Sequence, residues 1–338
     1  MNYAEVAAAA RSCIGPYCKA CPVCNGRACR NQMPGPGAKG SGTGAIRNFE
    51  AWQALRLNMD TICQSRTADT SYSFFGQNFS LPVFAGPVGA VKLHYGEKYS
   101  DAEYNQILVS GCRQAGIAAF TGDGTDTSVL IAASRAIGQA NGVGVPTIKP
   151  WDKRTVFEKL DTAKAAGAKI FAMDIDAAGL PFLKGRTPPA GNKTVSELRE
   201  IIEYAKGPFL LKGIMTVTGA RKALEAGAAG IVVSNHGGRV LDGVPATAEV
   251  LPAIAKAIKG QMTILVDGGL RSGVDILKAL ALGADAVLVA RPYVTAVYGG
   301  EYEGIQALTE TLKTELADAM TMCGVSNLEE ISSALLWP

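Results

Sequence analysis

Ile231-Val-Val-Ser-Asn-His-Gly-Gly-Arg239 opens as a β-branched run and ends in a polar, glycine-rich turn. A strand buried on both faces reads as such a run, and the turn after it delivers side chains to whatever lies at the strand's C-terminal end. Ser234, His236 and Arg239 arrive there together. An imidazole takes a proton near neutral pH, and a guanidinium holds a carboxylate through two parallel hydrogen bonds. Gly237 and Gly238 let the chain turn sharply and a ligand approach the backbone. Alone, these polar residues could serve only to satisfy a strand-end turn. The pattern recurs, however, at Val266-Asp-Gly-Gly-Leu-Arg271 and Val289-Ala-Arg-Pro292, and the chain has only two histidines, His94 and His236.

Working outward, short apolar runs alternate with helical stretches from about Leu81 onward. Eight candidate strands span 82–86, 117–121, 145–148, 170–174, 208–212, 230–234, 263–267 and 286–290. Ala115-Gly116, Ala166-Gly167, Ala226-Gly227 and Leu282-Gly283 each precede a strand. A glycine there closes a helix in the left-handed conformation. Eight strands alternating with helices predict an α/β fold, a (β/α)8 TIM barrel. The rival, an open doubly wound sheet, wants Gly-x-Gly-x-x-Gly after the first strand. That turn reads Gly86-Pro-Val-Gly-Ala-Val-Lys92 instead. In a TIM barrel the site lies at the C-terminal strand ends. Here those ends include Thr121-Gly-Asp123, Lys149-Pro-Trp151, Asp174-Ile-Asp176 and Lys212-Gly213, so almost every strand ends in a charged residue or a glycine.

The 338 residues are 48% hydrophobic, enough for a full core, and the net charge of +3 is too slight to argue for nucleic acid or an anionic membrane. No apolar run is long enough to span a bilayer, and Met1–Arg11 does not read as a signal peptide. The expectation is a cytoplasmic protein. Eight cysteines in a reducing compartment point to metal or redox use rather than structural disulfides.

Ser-Asn-His-Gly-Gly-Arg (234–239), Asp-Gly-Gly-Leu-Arg (267–271) and Ala-Arg-Pro (290–292) together resemble the FMN-dependent α-hydroxy acid dehydrogenases and oxidases, such as glycolate and lactate oxidases. The resemblance covers about residues 80–330. It implies FMN as cofactor and oxidation of a 2-hydroxy acid of the lactate or glycolate kind to the 2-oxo acid. His236 would be the base, Arg239 the carboxylate clamp, and Lys212 the cation beside the flavin N1 and O2. Asp267, Gly268, Gly269, Arg271, Ala290 and Arg291 would form the ribityl and phosphate site. Pro87, Val88 and Gly89 would run along the flavin edge, with Thr121 and Ser234 completing the cofactor set. A small-molecule carboxylate substrate, an electron-acceptor protein and a homo-oligomer are expected, with no nucleic acid and no membrane partner. The type 2 isopentenyl diphosphate isomerases use a related FMN barrel and are the alternative. That reading needs a second phosphate cluster and leaves Arg239 unexplained.

The chain also departs from the family. Thr147 and Lys149 stand where it places a Gln-x-Tyr pair, and Ala172 or Met173 where it has a flavin-side Thr. Arg186 is the one candidate for its second substrate arginine. The usual N-terminal substrate-contacting Tyr is absent, and a Cys-rich segment, residues 1–44, precedes the barrel of residues 45–338.

Within that segment Cys18-x2-Cys21-x2-Cys24-x4-Cys29 is compact. Such closely spaced thiols resemble an iron–sulfur wrap more than a zinc site, which tends to use separated pairs; a loop of free thiols is the plain alternative. Pro34–Gly44, a Gly-rich tether, is long enough to fold the segment over the barrel mouth. Elsewhere His94 is expected on an exposed loop, and Cys63, Cys112 and Cys323 in the core. One of Asp174 and Asp176 should cap a turn or pair with Lys212. Asp123 either meets substrate or stabilises its own turn.

Overall fold

The computed structural model describes residues 1–338. Eight strands occur where the apolar runs place them: β1 Val83–Ala85, β2 Phe120–Thr121, β3 Val145–Ile148, β4 Phe171–Asp174, β5 Phe209–Ile214, β6 Gly230–Val233, β7 Thr263–Val266 and β8 Ala286–Val289. Each pairs in parallel with its neighbour in sequence order, and β8 pairs with β1. A parallel bridge between Ala85 and Ala119 closes the ring, so the expected (β/α)8 barrel is what forms.

Strand periodicity explains why these runs look uniformly apolar. Phe84, Phe120, Ala172, Leu210, Val232, Leu265 and Leu288 fill the interior of the ring. Their neighbours Val83, Ile231, Val233, Ile264, Val266 and Val287 pack outward under the helices. Alternate residues thus face two different cores, and both are dry. A hairpin, Tyr72–Phe74 with Gln77–Phe79, plugs the N-terminal end. Its Phe74 and Phe79 rings lie 4.8 and 5.1 Å from Phe84.

The helices begin and end on the devices expected of them. Ser100 with Glu103, and Thr194 with Glu197, form reciprocal N-terminal caps. Gly116, Gly167, Gly227 and Gly283 take positive φ at the turn into the next strand. The C-terminal helix runs Arg291–Met322, with a break at Glu301 (φ 47°). No helix is long and apolar enough to cross a membrane.

Residues 11–43 contain neither helix nor strand. They cross the C-terminal mouth as a roof. Lys39 N–H donates to Gly238 O at 3.0 Å, and Ser41 binds the Asp242 carboxylate through N–H and Oγ at 2.6 and 2.8 Å. The helix Gly44–Ala54 then returns the chain beneath the barrel loops. Gly44 lies against Gly238, where an added Cβ would sit 2.9 Å from Gly238 Cα. Of the three cysteines expected in the core, Cys112 and Cys323 are buried, whereas Cys63 is exposed in an irregular loop.

Candidate active site at the barrel mouth

Beneath the roof lies a cavity of about 320 Å³, walled by the C-terminal ends of the strands. One corner suits a phosphate. Arg291 opens the C-terminal helix, whose N-terminal amides carry no side-chain cap. Its guanidinium is buried and Nη1 has no partner. The turn Asp267-Gly-Gly-Leu-Arg271 faces it, with Gly268 and Gly269 at φ 86° and 93°. Cβ atoms there would strike Asn48. Asn48 exchanges side-chain hydrogen bonds with Asn235 at 2.7 and 2.9 Å, and Trp52 Nε1 donates to Gly268 O at 2.8 Å, so the turn is held rigidly. Two guanidinium groups, Arg271 and the unpartnered Arg291, together with helix amides form a site for a phosphate dianion. Asp267 Oδ1, also buried and unpartnered, leaves an acceptor for a hydroxyl. Gly89 lets the loop after β1 pack directly on Asp123, where a Cβ would sit 2.9 Å from Asp123 O, and it lines the cavity with Pro87 and Val88. The cavity therefore fits FMN.

A charged cluster occupies the centre. Lys212 Nζ lies 2.9 Å from Asp174 Oδ1 and 3.6 Å from Asp267. Lys149 Nζ is 3.7 Å from Asp174 on the other side. Burial alone would raise Asp174, but His236, Lys212 and Lys149 hold its carboxyl far below the usual range. Burial would likewise lower Lys212, and Asp174, Asp267 and Asp176 overcome it and push the ammonium up. His236 Nδ1 is 3.0 Å from Asp176 Oδ1 and 3.6 Å from Asp174. Asp176 is held above the ordinary carboxylate range, by burial first, against the pull of His236 and Lys212. Room for it comes from Gly213, at φ 105° in an irregularity of β5. A Cβ at Gly213 would lie 2.5 Å from the Asp176 side chain.

Arg239 stands over this cluster, half-buried, with its guanidinium 5.9 Å from the Phe182 ring. It donates to the roof carbonyls of Gly35 and, at 3.4 Å, Pro34. His94 is not on an exposed loop. It sits buried in the short helix Val91–Tyr95, lines the cavity, and meets Pro34 O through Nδ1. Burial and the nearby Arg239 push its imidazole down to about 3, so it is neutral at pH 7. Arg186 reaches the same cavity from an exposed loop and has no acidic partner.

Most of the expected residues converge. Pro87, Val88, Gly89, Lys212, His236, Arg239, Asp267, Gly268, Gly269, Arg271, Ala290 and Arg291 all line the cavity. Thr121 and Ser234 do not. Both are fully buried, and Ser234 Oγ accepts the His236 N–H at 3.1 Å, shaping the turn rather than facing a cofactor. Asp174 is the carboxylate that pairs with Lys212. Asp123 is structural: it accepts from Lys149 N–H, Trp151 Nε1 and Gly124 N–H and pairs with buried Lys159 at 2.7 Å. Lys159 lies mid-helix with no local signal of that role.

The four cysteines sit at the phosphate end of the roof. Arg271 Nε donates to Cys24 O at 2.8 Å, and Nη2 lies 3.6 Å from Cys24 Sγ. Their sulfurs do not converge on a zinc-sized point, since thiolates on one tetrahedral zinc lie about 3.8 Å apart. The group of ligand atoms gathered within 4.8 Å of one another is Asp174, Asp176 and His236 instead.

Similarity to known proteins agrees with this geometry. The sequence matches the FMN-dependent dehydrogenase family over residues 35–187 and 184–338. It is 29% identical to an L-lactate dehydrogenase of Alcaligenes faecalis, over 86% of this chain and 89% of that protein. A 2-hydroxyacid oxidase of Dictyostelium discoideum is 43% identical over a shorter stretch, 43% of this chain and 37% of that protein. Mandelate oxidase with (S)-2-phenylpropionate superposes with a TM-score of 0.80 at 27% identity, covering 99% of this chain and 97% of that one. A mandelate oxidase variant with a monooxide FMN adduct gives 0.77 at 29% identity, over 91% and 97%. With both family segments matched and a cavity whose anion corner and glycine wall suit FMN, the chain belongs to the FMN-dependent dehydrogenases.

Proposed function

We propose that this FMN-dependent oxidoreductase converts a 2-hydroxy monocarboxylic acid to its 2-oxo acid. The observation that carries this reading is the pairing of His236 and Arg239 on one turn facing one cavity, with His236 Nδ1 tied to Asp176. An Nδ1–H donated to Asp176 leaves Nε2 as the free base for the substrate hydroxyl proton. Arg239 and Arg186 hold the carboxylate, and a substrate carboxylate would replace the roof carbonyls now taken by Arg239. FMN, when bound, accepts the α-hydrogen with its electron pair. Arg271 and Arg291 would hold its phosphate, and Lys212 would stabilise negative charge on the reduced ring.

Charge balance supports a single carboxylate. Lys149 and Lys212 are matched by Asp174 and Asp267, and Lys159 by Asp123. Arg239 and Arg186 remain for the substrate. The names of the relatives point the same way, to lactate, mandelate and 2-hydroxy acids. No second phosphate corner favours the isomerase reading. The division at residues 44/45 into roof and barrel belongs to this proposal. So does an electron-acceptor protein, with Cys18, Cys21, Cys24 and Cys29 as ligands of a second centre.

The test is anaerobic mixing of the FMN-loaded protein with L-lactate, glycolate or mandelate. Bleaching of the flavin and formation of the matching 2-oxo acid are expected, and His236→Ala should keep FMN but lose bleaching. A parent protein with bound FMN that none of the three reduces would sink the proposal.

A further inference from the structure

We propose that Cys18, Cys21, Cys24 and Cys29 hold a [4Fe–4S] cluster at the phosphate end of the flavin cavity, and that electrons leave the flavin through it. The electron route rests on the oxidoreductase reading above; the cluster itself does not. Four features carry the site. The four thiols fall within one irregular stretch, and none is in a disulfide. The backbone reverses between them at Ala20 (φ 41°) and Gly26 (φ 83°). Such left-handed turns let residues three apart present their sulfurs to one centre instead of to opposite sides. Gly26 is fixed there, because an added Cβ would lie 2.9 Å from Ala45 Cβ.

Arg271 closes one side of the group, its Nε donating to Cys24 O at 2.8 Å and its Nη2 lying 3.6 Å from Cys24 Sγ. Arg11 closes the near side, its Nε donating to Ala20 O at 3.0 Å. Two guanidinium groups beside the four thiols are a counter-charge for a cluster that carries net negative charge with its thiolates.

Zinc does not fit the same set, because the sulfurs are too widely spaced for one ion. A four-iron cube holds its ligands farther apart. Cys13 is excluded as a ligand by its contact with Tyr298 O, 3.2 Å from its sulfur. Chemically, each hydroxy acid oxidised yields one oxo acid, two electrons and two protons. The protons pass to water. The electrons leave the flavin singly, reduce the cluster one at a time, and go on to a one-electron acceptor protein at the exposed side of the roof.

The experiment uses the full chain, purified without oxygen and reconstituted with ferrous iron and sulfide. Expected are about four iron and four sulfide per chain, a broad absorbance near the flavin bands, and a low-temperature paramagnetic signal after dithionite reduction. Cys21→Ser should lose the iron and the signal, while Cys13→Ser keeps both. In Cys21→Ser the flavin should still bleach with hydroxy acid but pass electrons to a one-electron dye at least tenfold more slowly. One zinc per chain, or folded FMN-loaded protein that takes up no iron, would overturn the cluster. Iron at the expected level with equal dye reduction in Cys21→Ser would overturn the electron route. Parent protein that takes up no iron on reconstitution yet bleaches with hydroxy acid removes the cluster and leaves the hydroxy acid reading intact. The full cluster signature without bleaching does the reverse.

Discussion

His236 Nδ1 lies nearer to Asp176 Oδ1, at 3.0 Å, than to Asp174 Oδ1, at 3.6 Å, although Asp174 is the carboxylate that ends β4 beside Lys212. Asp174 is already committed to Lys212 at 2.9 Å. Asp176 has no other hydrogen-bond partner and leaves Oδ2 unpaired. Orientation of the His236 imidazole therefore falls to Asp176.

Asp176→Asn should slow flavin reduction by hydroxy acid roughly hundredfold, the size of a lost general-base contribution, with FMN affinity unchanged. Rapid-mixing absorbance measures both. A reduction rate within twofold of the parent would return the orienting role to Asp174.

The two carboxylates should affect stability with opposite sign. Asp174 is held below its ordinary range, so its contribution is complete above the unfolded value near 3.9 and is lost as pH falls below it. Asp176 is held above that range, so its ionisation costs stability as pH rises through its folded value. Urea unfolding of FMN-free protein at pH 7 should show Asp174→Asn destabilised by about 3–5 kcal/mol, because Lys212 and Lys149 are left buried without their carboxylate. Asp176→Asn should be as stable as the parent or more so. Loss of similar size in both would mean that the two share the lysines equally.

Arg291→Ala should weaken FMN retention by at least tenfold, since the orphaned Nη1 aims a buried charge at the anion corner. Equilibrium dialysis against free FMN reads this directly. Retention equal to the parent would remove Arg291 from the phosphate site.

Arg239→Lys should raise KM and lower kcat for carboxylate substrates, because Lys keeps the charge and loses the fork. Comparison with the carboxamide of the same hydroxy acid supplies the control. An equal loss on both would indicate a displaced roof instead of a lost carboxylate contact.

The barrel was legible because burial on both faces makes every strand a short apolar run, and because Gly116, Gly167, Gly227 and Gly283 mark the helix ends. The anion corner was legible for a related reason: Asp267–Arg271 and Arg291 are contiguous with their strands. What spacing does not carry is contact between loops. The choice of Asp176 over Asp174 depends on the irregularity at Gly213, which only pairing between β5 and β6 reveals. His94 reads as a loop residue until Pro34 of the roof is laid across it. Thr121 stands one residue past inward-facing Phe120, so the pleat turns it off the cavity, while Ser234 is taken up by the His236 N–H.

The roof's fastenings bear on traffic into the cavity. Lys39, Ser41, Gly44, Arg47 and Asn48 all attach to residues 235–249, the loop that carries His236 and Arg239. The roof and the turn that presents His236 and Arg239 are therefore fastened to each other at several points. Arg186, exposed at the rim of the same cavity, is the cation that an entering carboxylate would meet before it reached the half-buried Arg239.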